Sequence, residues 1–326
     1  MAERSILVTR AWPRAAEERL VAERIGTVTL RHPDRPMSQE EWMAAAERYD
    51  AILPTVSDRI PPDFYAAAKG KVRVMANYGV GFNHIDIDAA RANGIAVTNT
   101  PDVLTDCTAD LAMGLLLAAA RRIGEGERET RAGGWEGWRP THMIGKKVSG
   151  ATLGIIGFGR IGQAMARRAH GGFGMRVVFQ DAWDVPDEIR AANGQAEQLG
   201  SIAEVAAEAD ILSLHCPGGA ETFKLIDAPV FAAMKPGAIL VNTARGDVVD
   251  EDALFAALDS GKLAAAGLDV YMGEPALDAR FLEHDNIVLA PHLGSATDAT
   301  RAAMGHRAID NLKAALAGDR PGDLVT

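Results

Sequence analysis

Short apolar runs alternate with stretches of helical spacing almost from the first residue. "SILVT" (5–9), "TVTLR" (27–31), "AILP" (51–54), "VRVMANYG" (72–79) and "IAVTNT" (95–100) have the length and apolar content of strands. "AAEERLVAER" (15–24) and "SQEEWMAAAERYD" (38–50) carry helical spacing, and Ser38 with Glu41 forms a capping-box pattern at the start of the second. This β-α alternation predicts a parallel sheet covered on both faces, in a first unit ending near Thr100–Pro101. From Asp102 to about Gly133 the chain reads as one long helix or a broken pair. "GGWEGWRPTHMIG" (133–145) then reads as a loop.

A second series begins at Ala151, with strand candidates "TLGIIG", "MRVVFQ", "ILSLHC", "AILVNTA", "AAGLDVY" and "NIVLAP". Six strands in this order fit a dinucleotide-binding domain. "TRAAMGHRAIDNLKAALAG" closes the chain as an amphipathic helix. A chain of 326 residues is long for one core and suggests two domains. The net charge of -10, with no long Lys/Arg run, argues against a nucleic-acid partner. The longest apolar run, "ADLAMGLLLAAA" (109–120), is too short to span a bilayer, and the charged N-terminus lacks a signal-peptide core. Two cysteines, Cys107 and Cys216, make no disulfide framework, so a cytoplasmic location is the simplest expectation.

The loop "GFGRIG" is weak evidence alone, but its context strengthens it. "TLGII" precedes it and a helix follows it. The next strand ends in Asp181, about 20 residues past the loop. Gly157, Gly159 and Gly162 supply the turn, the close approach to a pyrophosphate and the helix–strand packing; Phe158, Arg160 and Ile161 lie between them. Helix N-terminal amides favour phosphate. A carboxylate at Asp181 accepts hydrogen bonds from ribose hydroxyls and repels a 2′-phosphate. Ala182 and Trp183 follow with no arginine, so NAD is expected over NADP. Against this stands a Gly-rich turn that binds nothing.

Three further residues lie just beyond successive strands: Arg245, Glu274 and His292. Open parallel sheets bind ligands at the carboxyl ends of their strands. Hydride transfer to a 2-oxo acid needs a cation for the carboxylate, a proton donor for the nascent alkoxide, and a carboxylate on the far imidazole nitrogen. The three residue types match. Taken singly, each is equally a capping, turn or loop residue.

The strings "NYGVGFNHIDIDAARANGIAVTNTP", "LGIIGFGRIGQAMARR", "LHCPGGAETFKLI", "MKPGAILVNTARGDVVDEDAL", "GLDVYMGEP" and "APHLGSAT", in this order, resemble the D-isomer-specific 2-hydroxyacid dehydrogenases over nearly the whole chain. The resemblance implies an α/β protein of two doubly wound parallel-sheet domains. A Rossmann cofactor domain (102–290) would be inserted into a smaller flavodoxin-like substrate domain (1–101 and 291–326). It implies Arg245, Glu274 and His292 as catalytic residues. The substrate would bind Val80, Gly81, Arg245 and His292. The glycine loop, Asp181, Thr105, Cys216, Pro217, Thr243, Ala244, Asp269 and Gly294 would lie beside the NAD, and no metal is called for. His215 matches a recurring family position that reads more safely as structural.

The segment 120–145 looks most like the glycerate dehydrogenase and glyoxylate/hydroxypyruvate reductase branch. The implied reactions are hydroxypyruvate to D-glycerate and glyoxylate to glycolate, in a homodimer in which Trp138 reaches the partner or, equally, packs with Trp135 in its own loop. A D-lactate-type substrate and a non-catalytic, NADH-sensing corepressor-like role are the alternatives. Closure about hinges near Pro101 and Pro291 is expected. The glycines of "CPGGAETFKLI", where many relatives carry bulkier residues, are expected to loosen the loop beside the adenosine without touching the chemistry.

Overall fold

The computed structural model describes residues 4–32 and 34–326. In chain order its elements are β1 (Ser5–Val8), α1 (Arg14–Ala22), β2 (Thr27–Leu30), α2 (Gln39–Arg48), β3 (Ala51–Leu53), α3 (Asp63–Ala67), β4 (Val74–Ala76), α4 (Ile87–Ala92) and β5 (Ala96–Thr98). Then come α5 (Thr105–Ala120), α6 (Ile123–Arg131), β6 (Thr152–Ile156), α7 (Arg160–Phe173), β7 (Arg176–Gln180), α8 (Asp187–Ala192), β8 (Glu197–Gln198), α9 (Ile202–Glu208) and β9 (Ile211–Leu214). The last are α10 (Ala228–Ala233), β10 (Ala238–Asn242), α11 (Glu251–Asp259), β11 (Leu263–Leu268), β12 (Ile287–Leu289) and α12 (Asp298–Ala317).

The chain divides into two compact units, residues 1–104 with 295–326, and residues 105–294. The first holds a parallel five-stranded sheet in the order β2-β1-β3-β4-β5, the flavodoxin-like arrangement. Its two faces carry separate cores. One is built on Trp42, Phe64, Tyr65 and Met75; the other, on Ile6, Val8, Leu53 and Val74, is covered by Leu20 of α1 and Met304, Ile309 and Leu312 of α12. Ser38 caps α2 by accepting from the Glu41 amide, and the Glu41 carboxylate accepts from the Ser38 amide in return.

The second unit holds a parallel seven-stranded sheet in the order β12-β11-β10-β9-β6-β7-β8. This is the doubly wound dinucleotide-binding order with one strand added. Strand order reverses between β6 and β9, so the loops after these two strands open a crevice at the carboxyl edge. Both faces again carry an apolar core. Two parallel doubly wound sheets are what the alternation of runs predicts. Strand β8 escapes that reading because it is two polar residues long, with no apolar run to announce it. The 102–133 segment is a broken pair of helices, with Arg122 at the break in the left-handed conformation (φ 53°). Residues 133–145 form neither helix nor strand.

Close packing marks which glycines the fold requires. A Cβ at Gly305 of α12 would fall 2.4 Å from the Ala16 Cβ of α1. At Gly171, inside α7, nothing lies within 4 Å. Gly305→Leu is therefore expected to destabilise the protein by about 1–3 kcal/mol through overpacking. Gly171→Ala is expected to stabilise it by about 0.4–1 kcal/mol through reduced unfolded-state entropy. Denaturant titration of both variants checks the opposite signs.

Candidate active site

The glycine turn leaves β6 and enters α7. Gly157 has φ 89°, and a Cβ there would lie 2.5 Å from the Cys216 amide nitrogen just beyond β9. A Cβ at Gly162 would lie 2.2 Å from the Gly157 carbonyl oxygen. These two positions are closed by backbone, which cannot move aside cheaply. Gly159 differs: it is the N-cap of α7, lacks a side-chain cap, and has nothing within 4 Å of its Cβ position. Uncapped helix amides beside open space suit an anion such as a pyrophosphate. The sharp turn, the open glycine and the helix end together fit the group that the motif implies.

Around this turn the structure gathers several of the expected residues. Asp181, just past β7, accepts from the Phe158 amide (2.6 Å) and the Trp183 amide (3.1 Å). It thus braces the turn while each oxygen keeps a lone pair. The Phe158 ring is buried and stacked on Phe179 at 3.8 Å, so Phe158 offers the site only backbone. Arg160 and Ile161 form the first turn of α7. Cys216 faces the turn from the β9 end, and Pro217 follows it in the chain. Burial pushes the Cys216 thiol up to about 11, which rules out a ready thiolate. Burial also pushes the His215 imidazole down to about 4, and its Nε2 lies 2.9 Å from the Ser213 hydroxyl. A neutral, inward histidine fits the structural reading of that position.

Beyond β10, Asn242 shapes a tight turn. Its Oδ1 accepts from the Ala244 amide (2.9 Å), and its Nδ2 donates to the Arg245 carbonyl (2.9 Å). Thr243 is buried, and its hydroxyl has no partner among the described residues. The turn presents Arg245, whose guanidinium makes a single hydrogen bond among the described residues, to the Ala244 carbonyl at 2.6 Å. Burial pulls its pKa below the usual arginine value, opposed by the charges of Glu274 and Asp247. A half-buried guanidinium with most donors free is ready for a carboxylate. Sequence reasoning missed Asn242; the signal was an Asn at a strand end, a common turn-former.

The loop after β11 and the loop after β12 meet through Asp269, which is buried. Its two carboxylate oxygens accept from the Leu293 amide (2.6 Å) and the Gly294 amide (2.8 Å), and its carbonyl accepts from the His292 amide (2.9 Å). Thr108, in the first turn of α5, donates to the Gly294 carbonyl (3.1 Å); Thr105 opens the same helix. His292 is held with φ 56°, a left-handed conformation that a non-glycine residue keeps only when its surroundings impose it. Its Nδ1 lies 2.7 Å from Glu274 Oε1, and Nε2 has no partner among the described residues. Burial alone would raise the Glu274 carboxyl. The hydrogen bond and charge of His292, aided by Arg245, outweigh it and hold the group below the usual glutamate range. Arg245, Glu274 and His292 thus form one electrostatically linked set at the carboxyl ends of three adjacent strands.

A Cβ at Gly218 would fall 2.8 Å from both Arg245 Cγ and Asp247 Oδ1. The glycine-rich loop after Cys216 therefore packs closely on the stem of Arg245 at this position.

A Rossmann-ordered sheet with a glycine turn, an acid-paired imidazole and an uncommitted guanidinium defines a nicotinamide-dependent oxidoreductase. Residues 113–294 match the model of the D-isomer specific 2-hydroxyacid dehydrogenase NAD-binding domain. The chain is 43% identical over 280 residues to the glyoxylate reductase of Thermococcus litoralis, covering 85% of this chain and 83% of that one. It is 38% identical over 319 residues to the glycerate dehydrogenase of Hyphomicrobium methylovorum, covering 98% of each. The NADPH-dependent glyoxylate/hydroxypyruvate reductase of Sinorhizobium meliloti, solved with NADP and malonate, superposes with a TM-score of 0.87 at 33% identity, covering 100% of this chain and 97% of that one. This chain belongs to the D-isomer specific 2-hydroxyacid dehydrogenase family, NAD-binding oxidoreductases that act on 2-hydroxy acids.

The Glu274–His292 pair carries a pH prediction. The depressed Glu274 carboxyl stabilises the folded chain above the ordinary glutamate range, and that contribution is lost as pH falls through its lowered value. In His292→Ala the two largest lowering influences vanish and burial remains. The Glu274 carboxyl is then expected to titrate at higher pH than in the parent, as read by carbon-13 NMR of labelled glutamate. An unchanged or lower midpoint would contradict the pairing.

Proposed function

We propose that this chain reduces small 2-oxo acids with NADH, converting glyoxylate to glycolate and hydroxypyruvate to D-glycerate. The observation that carries the reading is the 2.7 Å pairing of His292 Nδ1 with Glu274, which leaves Nε2 without a partner among the described residues, in a charge-linked set with Arg245 at the carboxyl edge of the same sheet. The relatives named glyoxylate reductase and glycerate dehydrogenase support the choice of substrate.

Arg245 grips the substrate carboxylate and polarises the adjacent carbonyl through its free donors. His292 donates the Nε2 proton to the carbonyl oxygen as negative charge develops there. Glu274 fixes the tautomer by accepting from Nδ1 and stabilises the imidazolium before that proton leaves. The reduced nicotinamide, when bound, supplies the hydride to the carbonyl carbon. We assign residues 105–294 to holding that cofactor. Gly157, Phe158, Gly159, Arg160, Ile161, Gly162, Asp181, Cys216, Pro217, Thr243, Ala244, Asp269, Gly294 and Thr105 line its place. Residues 1–104 and 295–326 are assigned to the substrate, through the Val80 and Gly81 amides.

The finer assignments are a homodimer and a cytoplasmic location. Exposed Ile123, Trp135, Trp138 and Ile144, on α6 and the following loop, support a protein partner for that segment. Two cysteines that form no disulfide are compatible with a reducing compartment, and among the described residues no helix is long and apolar enough to cross a membrane.

NADH oxidation with glyoxylate and hydroxypyruvate tests the reading. His292→Ala is expected to lower kcat by roughly 10²–10⁴-fold. Arg245→Gln is expected to lower kcat/KM by roughly a hundredfold or more. Binding of NADH without turnover of any 2-oxo acid would favour a sensing role instead. A separate prediction concerns Asp181: removing its charge in Asp181→Ser should narrow the preference for NADH over NADPH by about tenfold, seen in the ratio of the two kcat/KM values.

A further inference from the structure

In the first unit, residues 79–81 follow β4 in a bent loop whose carbonyl groups are all occupied. The Gly79 carbonyl accepts from Asn77 Nδ2 (3.0 Å) and from the Thr100 amide (3.0 Å). The Val80 carbonyl accepts from Asn99 Nδ2 (2.9 Å), and the Gly81 carbonyl accepts from Asn77 Nδ2 (3.0 Å). The amides of Gly79, Val80 and Gly81 have no partner among the described residues.

In a planar trans peptide the C=O and the following N–H point in opposite directions. Tying the carbonyls of residues 79, 80 and 81 to asparagine side chains therefore turns the N–H groups of Val80, Gly81 and Phe82 away from those asparagines. Successive free amides form a concavity that favours an anion. Only a short, two-armed donor can hold both the Gly79 and the Gly81 carbonyls, and the Asn77 amide does so from a buried position. Its own Oδ1 is left buried without a partner among the described residues. That orphan shows that the side-chain orientation answers to the loop.

Asn77 and Asn99 occupy matching positions, one past the paired Ala76 and Thr98 of neighbouring parallel strands. Asn99 is itself anchored. Its carbonyl accepts from Asn311 Nδ2 of α12 (3.1 Å), and its amide donates to the Asp323 carbonyl (3.2 Å). Gly79 completes the arrangement, because a Cβ there would meet Val56 Cγ1 at 2.8 Å.

We infer that Asn77 and Asn99 are positioning residues, which set the loop 79–81 as a receptor for the carboxylate of the 2-oxo acid by fixing its carbonyls and freeing its amides. This rests on the proposed reduction, and it adds two side chains that do not touch the reacting atoms. They act on carboxylate affinity through the backbone.

The test uses the full chain with Asn99→Ala, at a half-buried position, and Asn77→Ala, at a buried one. Steady-state kinetics with glyoxylate are combined with calorimetric titration of oxalate, as an unreactive carboxylate probe, in buffer containing NADH. In each variant KM and the oxalate dissociation constant are expected to rise by about tenfold, with little change in kcat or in the dissociation constant of NADH. Asn99→Gln, which keeps the donor, should recover part of the loss. A folded Asn99→Ala with parental oxalate affinity would overturn the inference, as would a variant that loses kcat while KM stays fixed. If the parent turns over no 2-oxo acid, the functional reading fails on its own, and the oxalate titration still decides the role of the asparagines.

Discussion

One buried carboxylate holds the reactive part of the second unit together. Asp269 stands directly after β11, and its three oxygens take the amides of His292, Leu293 and Gly294 in turn. A left-handed histidine is costly unless its neighbours impose the conformation. Without this grip the loop after β12 would relax, and the imidazole would lose its fixed approach to Glu274. Burial raises the Asp269 carboxyl, and the Leu293 and Gly294 amides and the charge of His292 pull it back. The aspartate, expected beside the cofactor, therefore also shapes the loop that carries His292, the proposed proton donor.

The same device recurs in smaller form. Asn242 bonds to both Ala244 and Arg245 across its turn, and Asn77 and Asn99 hold the loop after β4. In each case the strand ends, and a short polar side chain takes over the backbone groups that the ladder no longer satisfies. Parallel sheets bring these strand ends to one edge, so the chemistry collects there by geometry. The electrostatics follow the same division. His292 has its carboxylate partner in Glu274, whereas among the described residues the Arg245 guanidinium hydrogen-bonds only to a backbone carbonyl.

Much of this was readable from local pattern. The alternation of strands and helices, the glycine turn with Asp181 after the next strand, and the placing of Arg245, Glu274 and His292 beyond successive strands all reside in short stretches of chain. Capping of α2 by Ser38 was likewise visible, since a capping box spans four residues. What eluded reading has a common cause. Strand β8 has two polar residues and pairs with β7 at the edge of the sheet. Gly218 looked like slack until its packing against Arg245 was seen. Asn242, Asn77 and Asn99 are unremarkable letters at strand ends.

The sequence by itself determined the class of fold and the residue types of the site, because apolar period, glycine spacing and strand-end placement are properties of neighbours along the chain. Tertiary structure alone decided strand order, the grip of Asp269 on residues 292–294, and which carbonyls the asparagines hold. Those pairings join residues far apart in sequence, and hydrogen bonds of this kind depend on distances and directions that no local pattern encodes.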